Sequence, residues 1–278
     1  MKGRALLAAL LMLAGCNRAE EAVPPAMPQR PVIVSLNPCT DAMLVEVADP
    51  RQIAALSHWS RDPAASSIPQ AVARRFGVTG GTVEEVLALE PDLVLASTFI
   101  DPATRHALDE LGIAVETFGI AATVADSEAQ ARRVAAIAGD PAAGERLIAR
   151  MRAALNRAKP APGDRSVDTV LWQPGGIVPG QGTLITELLA RTGFANGAAA
   201  RGYAQADYLP LEEVVANPPE LLLVAGSEAG QAHPVLERLA RTRHARFNPS
   251  LLYCGGPTVV RAAAYLGALR RSMVEERR

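Results

Sequence analysis

The chain is poor in aromatic side chains, in lysine and in cysteine. Of 278 residues, five are Phe, four are Tyr and two are Trp. Its cores must therefore be built from aliphatic residues, and the positions of the few rings carry information. Lysine occurs only at Lys2 and Lys159, so arginine carries nearly all the positive charge; with so much alanine, this reflects a GC-rich genome rather than a function. The formal net charge is −1, without the basic surplus that a nucleic-acid partner would leave. No apolar run is long enough to cross a bilayer. Enzyme signatures are missing too. There is no phosphate-binding loop ending in Gly-Lys-Ser/Thr, no His-Glu-x-x-His and no Gly-x-Ser-x-Gly elbow. Gly180-Gln181-Gly182 precedes a helix but lacks the third glycine of a dinucleotide turn, and reads as a loop. The four histidines are scattered; His106 and His244 read as surface residues, and His58 alone is kept as a ligand candidate. No catalytic residue, metal site or cofactor is expected.

What is present is a sentence written twice. Thr82-Val83-Glu84-Glu85-Val86-Leu87-Ala88-Leu89-Glu90-Pro91-Asp92-Leu93-Val94-Leu95-Ala96-Ser97 recurs 128 residues later as Pro210-Leu211-Glu212-Glu213-Val214-Val215-Ala216-Asn217-Pro218-Pro219-Glu220-Leu221-Leu222-Leu223-Val224-Ala225. Between Glu84 and Ser97, seven of fourteen positions match. Each copy reads as a short helix, a Pro that cannot continue it, and an aliphatic strand buried on both faces of a parallel sheet. With 49% apolar residues, the chain can fill two cores. Its length suits two domains of about 100–130 residues. Two similar α/β lobes place a cleft between them, and such clefts bind ligands.

At the start, Lys2 and Arg4 precede an apolar stretch from Ala5 to Ala14, the pattern of a secretory signal. Leu13-Ala14-Gly15-Cys16 resembles the lipobox of bacterial lipoproteins, which implies cleavage before Cys16 and its lipidation. Residues 1–16 are thus expected to be a signal peptide with its lipid-modified Cys, and residues 17–30, with Pro24, Pro25 and Pro28, a flexible tether. Cys39 and Cys254 remain. They lie in opposite halves, where a bridge would tie the lobes together. Packing as small apolar side chains is the first expectation, with ligand or metal contact and a disulfide as alternatives.

Strands and helices alternate through the rest. Val32 to Leu36 is a predicted strand stopped by Asn37-Pro38, followed by a helix from Ala42 to Val47 that Thr40-Asp41 can cap. Ile53 to Leu56 is a second strand, Pro102 to Leu111 a helix, and Ala114 to Phe118 another strand. From Val124 to Ala158 the pattern is helical, broken only at Gly139-Asp140-Pro141. Its second piece is amphipathic; eighteen residues at ~1.5 Å each reach roughly 27 Å, enough to cross both lobes. Beyond it come a strand at Thr169 to Trp172, a helix at Leu184 to Thr192, the second repeat, a last strand at Ser250 to Tyr253, and a helix from Thr258 to Val274. The predicted architecture is α/β: two Rossmann-like lobes (31–122 and 161–278) with parallel sheets, joined by a helical connector (123–160) with one long α-helix.

Trp59, Phe99, Trp172 and Tyr253 fall at or just beyond the carboxyl ends of predicted strands, where ligands bind in α/β sheets. Tyr203 and Tyr208 precede the second repeat. Candidate ligand contacts are Asn37, Cys39, His58, Trp59, Phe99, Trp172, Gln173, Tyr208, Tyr253 and Cys254. For Trp172 and Tyr253, completion of a core layer is an equal alternative.

Val32-Ile33-Val34-Ser35-Leu36-Asn37-Pro38, the Glu84–Val94 segment, the long joining helix and the Leu211–Val224 segment together resemble the substrate-binding proteins of importers for iron–siderophore complexes and cobalamin. The resemblance covers residues 31–275. It implies a monomeric receptor, periplasmic and membrane-tethered through its lipid, that hands a corrinoid or iron chelate to a permease with ATPase subunits. It also implies that Glu84 and Glu212, one on each lobe, dock on permease arginines, with Glu85 and Glu213 as neighbours able to share the role. A metal or haem chaperone relying on Cys39 and Cys254, and a divergent α/β enzyme, are the alternatives.

Overall fold

The computed structural model describes residues 29–228, 231 and 233–276; the expected signal peptide, Cys16 and most of the expected tether lie outside them. The first lobe holds five short parallel strands: β1 (Ile33–Ser35), β2 (Ile53–Ser57), β3 (Val78–Thr79), β4 (Leu93–Ser97) and β5 (Ala114–Phe118), in the order β3-β2-β1-β4-β5. Four helices accompany them: α1 (Pro38–Val47), α2 (Gln70–Ala73), α3 (Val83–Leu87) and α4 (Pro102–Glu110). Two helices follow, α5 (Val124–Ile137) and α6 (Pro141–Ala158), separated at Gly139 and Asp140, where Asp140 caps α6 and Pro141 opens it.

The second lobe contains β6 (Val167–Trp172), β7 (Ile177–Val178), β8 (Phe194–Asn196), β9 (Asp207–Tyr208), β10 (Leu221–Val224) and β11 (Arg243–Arg246). Its helices are α7 (Leu184–Arg191), α8 (Gly197–Ala200), α9 (Leu211–Ala216), α10 (Pro234–Glu237) and α11 (Pro257–Glu275). Its main sheet is parallel, in the order β11-β10-β6-β8, and β7 pairs with β9 as a separate antiparallel ribbon. The duplicated segment occupies equivalent places in both sheets. β4 lies beside β1 with β5 outside it; β10 lies beside β6 with β11 outside it.

One apolar cluster runs through both lobes. It joins Ile33, Leu44, Leu93 and Leu95 of the first lobe to Leu147, Met151 and Leu155 of α6 and to Leu171, Leu221, Leu223 and Leu266 of the second. The apolar stripe of α6 is what links them, because residues three and four apart share a helix face. Its arginine face stays in solvent and pairs outward: Arg152 with Glu128, and Arg150 with Glu46. Among the described residues, no helix is long and apolar enough to cross a membrane.

Two expectations are corrected. The last strand is Arg243–Arg246, not Ser250 to Tyr253. As an edge strand it is paired on one side only, to β10, so it needs no aliphatic run. Leu251 and Leu252 do enter the core, but from a short 3-10 turn opened by Asn248 and Pro249. The first helix, in turn, begins at Pro38 with Asn37 as its cap, four residues before the expected start; the Asn37 side chain accepts from the Cys39 amide at 2.9 Å. Thr40 and Asp41 are thereby inside the helix, where Thr40 bonds Ser35 and the Asn37 carbonyl, and Asp41 accepts from Ser57.

Candidate functional site

Most of the expected residues follow the carboxyl ends of β1, β2, β4 and β6. Four rings stand out into solvent: Phe99 is 76% exposed, Tyr208 62%, Tyr253 61% and Trp59 46%. Phe99 follows β4 on a turn in which its amide donates to the Ser97 hydroxyl. Trp59 follows β2 in a 3-10 turn and packs against His58, ring centroids 4.4 Å apart.

Phe99, Asn37 and Tyr253 line a small cavity of about 90 Å³, with Ile120 and Gln130 among its other walls. Tyr208 lines a second, of about 290 Å³, with Gly176, Glu212 and the rim of Trp172. Tyr253 links the two regions, since its hydroxyl donates to the side-chain oxygen of Gln173, the neighbour of Trp172. Burial pushes the Tyr253 phenol above its ordinary range, so it is a donor at neutral pH. Gly176 has to be glycine: φ is 78°, and a Cβ would lie 2.7 Å from the Tyr208 ring.

Other expected contacts are placed differently. Trp172 is only 4% exposed; it packs in the second-lobe core and donates its indole N–H to the Leu209 carbonyl. It completes a core layer, as the alternative held. Gln173 is buried and engaged with Tyr253, and the Asn37 amide oxygen is engaged as a helix cap. His58 and Trp59 line neither cavity.

Cys39 and Cys254 form a disulfide, Cα atoms 5.0 Å apart. The bridge replaces the expected packing of two separate thiols, and it withdraws both sulfurs from thiolate metal binding. It was open to sequence reasoning because an exported compartment is oxidising. Among the described residues, no group of three or more His, Cys, Asp or Glu side chains is placed to hold a metal ion.

The structure also separates the paired glutamates. Glu85 accepts from the Thr79 hydroxyl and from the amides of Gly80 and Gly81. Glu213 accepts from the Tyr203 hydroxyl. Among the described residues no partner is found for Glu84 or Glu212, and both are exposed. In each copy, then, the second acid braces a loop and the first is free.

Sequence reasoning missed a cavity of about 480 Å³ at the ends of β10 and β11, with Glu228, His233, Glu237, His244 and Arg246 in its walls. His244 sits on the unrecognised edge strand, so nothing marked it as cavity-facing.

Two α/β lobes around a common helical spine, with exposed rings at the strand ends, define a solute-binding protein. Residues 33–246 match the periplasmic binding protein family, and the chain belongs to it. Among solved structures it is similar to the periplasmic haem-binding protein RhuT of Roseiflexus sp. RS-1, with 20% identity and a TM-score of 0.69 over 86% of this chain and 97% of that one. It is likewise similar to the haem-binding protein HutB of Vibrio cholerae, with 17% identity and a TM-score of 0.70 over 85% and 97%. The vitamin B12-binding protein BtuF of Vibrio cholerae matches at 17% identity and a TM-score of 0.65 over 85% and 94%. A comparison with curated protein sequences returns no match.

Proposed function

We propose that the protein is the receptor of an ATP-driven importer, tethered to a membrane through a lipid on Cys16, and that it captures a corrinoid, haem or iron chelate between its lobes. The observation that carries this reading is the set of exposed rings: Phe99 and Trp59 beyond strands of the first lobe, and Tyr208 at the end of β9 and Tyr253 beside the disulfide in the second. Rings in a cleft suit a large, partly apolar ligand, for which they supply contact area and stacking. The similar structures named for haem and vitamin B12 support the ligand class, not a choice within it. Glu84 and Glu212 are the docking residues, one carboxylate per lobe, free to pair with arginines of the permease and fix its orientation. The chaperone alternative loses its basis with the Cys39–Cys254 bridge.

Tryptophan fluorescence tests the receptor reading. Trp59 is the exposed reporter and Trp172 the buried one. Titration with haemin, cyanocobalamin and ferric siderophores is expected to quench Trp59 with one of them, at micromolar concentrations or below. No saturable quenching by any, and no binding by dialysis, would remove the reading.

A further inference from the structure

We infer that the Cys39–Cys254 disulfide is a positioning strap of the ligand cleft: it fixes the lobe spacing at the cleft floor and holds the Tyr253 ring toward the ligand. The inference rests on the receptor reading for the word ligand, and on geometry for the rest. Cys39 stands in the first turn of α1, just past the end of β1. Cys254 stands in the segment between the 3-10 turn at Pro249–Leu251 and α11. The bond closes a separation of 215 residues, and so encloses the connector helices, the second lobe's strands and every first-lobe strand except β1.

The surrounding packing shows that the contact is built. A Cβ on Gly255 would lie 2.4 Å from the Ser127 hydroxyl of α5, and one on Gly256, where φ is 61°, would lie 2.9 Å from Met43 of α1. The Gly256 amide donates to Ser127 at 2.6 Å. Segment 254–256 is therefore wedged between α1 and α5, with the disulfide at its leading end.

Tyr253 is held from two sides. Its hydroxyl bonds Gln173 in the second lobe, and the adjacent Cys254 is bonded to the first. A ring that is 61% exposed would ordinarily sample several rotamers; here its backbone cannot move away without stretching the bridge or breaking the wedge. Preorganisation of this kind acts mainly on dissociation, because the bound arrangement needs no further ordering.

The test compares the oxidised protein with Cys39→Ala/Cys254→Ala, with Tyr253→Phe and with all three changes combined. Far-UV circular dichroism checks that each folds. Haemin and cyanocobalamin are the probes, and the readouts are dissociation rate and amide hydrogen exchange of ligand-free protein. The expected result for the double variant is a dissociation rate raised by about tenfold for the probe that binds. Exchange is expected to accelerate at 38–44 and 253–258. Tyr253→Phe should speed dissociation in the oxidised protein and add little once the bridge is gone. Unchanged dissociation despite lower thermal stability would overturn the inference and leave the bridge as a fold staple. If neither probe binds the oxidised protein, it is the receptor reading that fails; the strap is then decided by exchange, and unchanged protection at 253–258 overturns it.

Discussion

Asp41 is the residue at which local physics departs furthest from the ordinary. It is fully buried between α1 and the end of β2, and burial raises its pKa from 3.8 to about 7 despite bonds from Ser57 that favour the carboxylate. A folded-state pKa above the unfolded one means that the neutral acid fits the fold better. Its contribution is fully present below about pH 4 and is lost as pH rises toward about 7. Asp41→Asn keeps an acceptor for Ser57 without a charge. Its urea-unfolding midpoint, relative to that of the wild type, should therefore be higher at about pH 8 than at about pH 4. A difference independent of pH would show that Asp41 is not titrating in the fold. At the floor of the cleft, Gly255→Ala should destabilise by about 1–3 kcal/mol, because Ser127 on α5 cannot retreat from the new methyl; thermal or urea unfolding measures it.

At the scale of elements, the two copies of the repeat do different work with adjacent acids. In α3 and α9 the second glutamate is spent on the preceding loop and the first is free. Reversing charge at Glu84 and Glu212 together should abolish ligand uptake by cells, and reversing Glu84 alone, which lines neither cavity, should leave ligand affinity of the purified protein within about twofold. Glu85→Gln and Glu213→Gln should instead lower stability with little direct effect on uptake. The repeat was legible because it is written in residue types with strong local meaning: an acidic first turn, a Pro, an aliphatic strand. β11 was not, because an edge strand paired on one side tolerates Arg243-His244-Ala245-Arg246, which carries no apolar signature. The start of α1 was misplaced because Asn37-Pro38 reads equally as a strand stop and as a cap with Pro at the first helical position. Trp172 was ambiguous for a similar reason. A ring at a strand end can face the ligand or finish the core, and only the Leu209 carbonyl, 37 residues away, decided it.

For the whole molecule, the shared core, α6 and the disulfide all oppose large rigid-body motion. A chain of this size has a radius of gyration of about 19 Å. Saturating ligand should change it by less than about 1 Å in solution scattering. Removing the bridge should cost about 2–5 kcal/mol of stability, since it releases a loop spanning most of the chain. The alternation of strand and helix made two lobes readable from sequence. The floor joining them was readable only as an alternative, because nothing local in the sequence tells whether two cysteines 215 residues apart fold to within one bond length.

The most direct measurement is equilibrium dialysis of haemin and cyanocobalamin against the wild type and Phe99→Ala/Tyr253→Ala. Saturable one-to-one binding of one probe by the wild type is expected, with affinity weakened by about tenfold or more in the variant, given the contact area of two rings. Equal affinity in the two proteins would contradict it, because the ligand would then sit somewhere other than the cleft between the lobes.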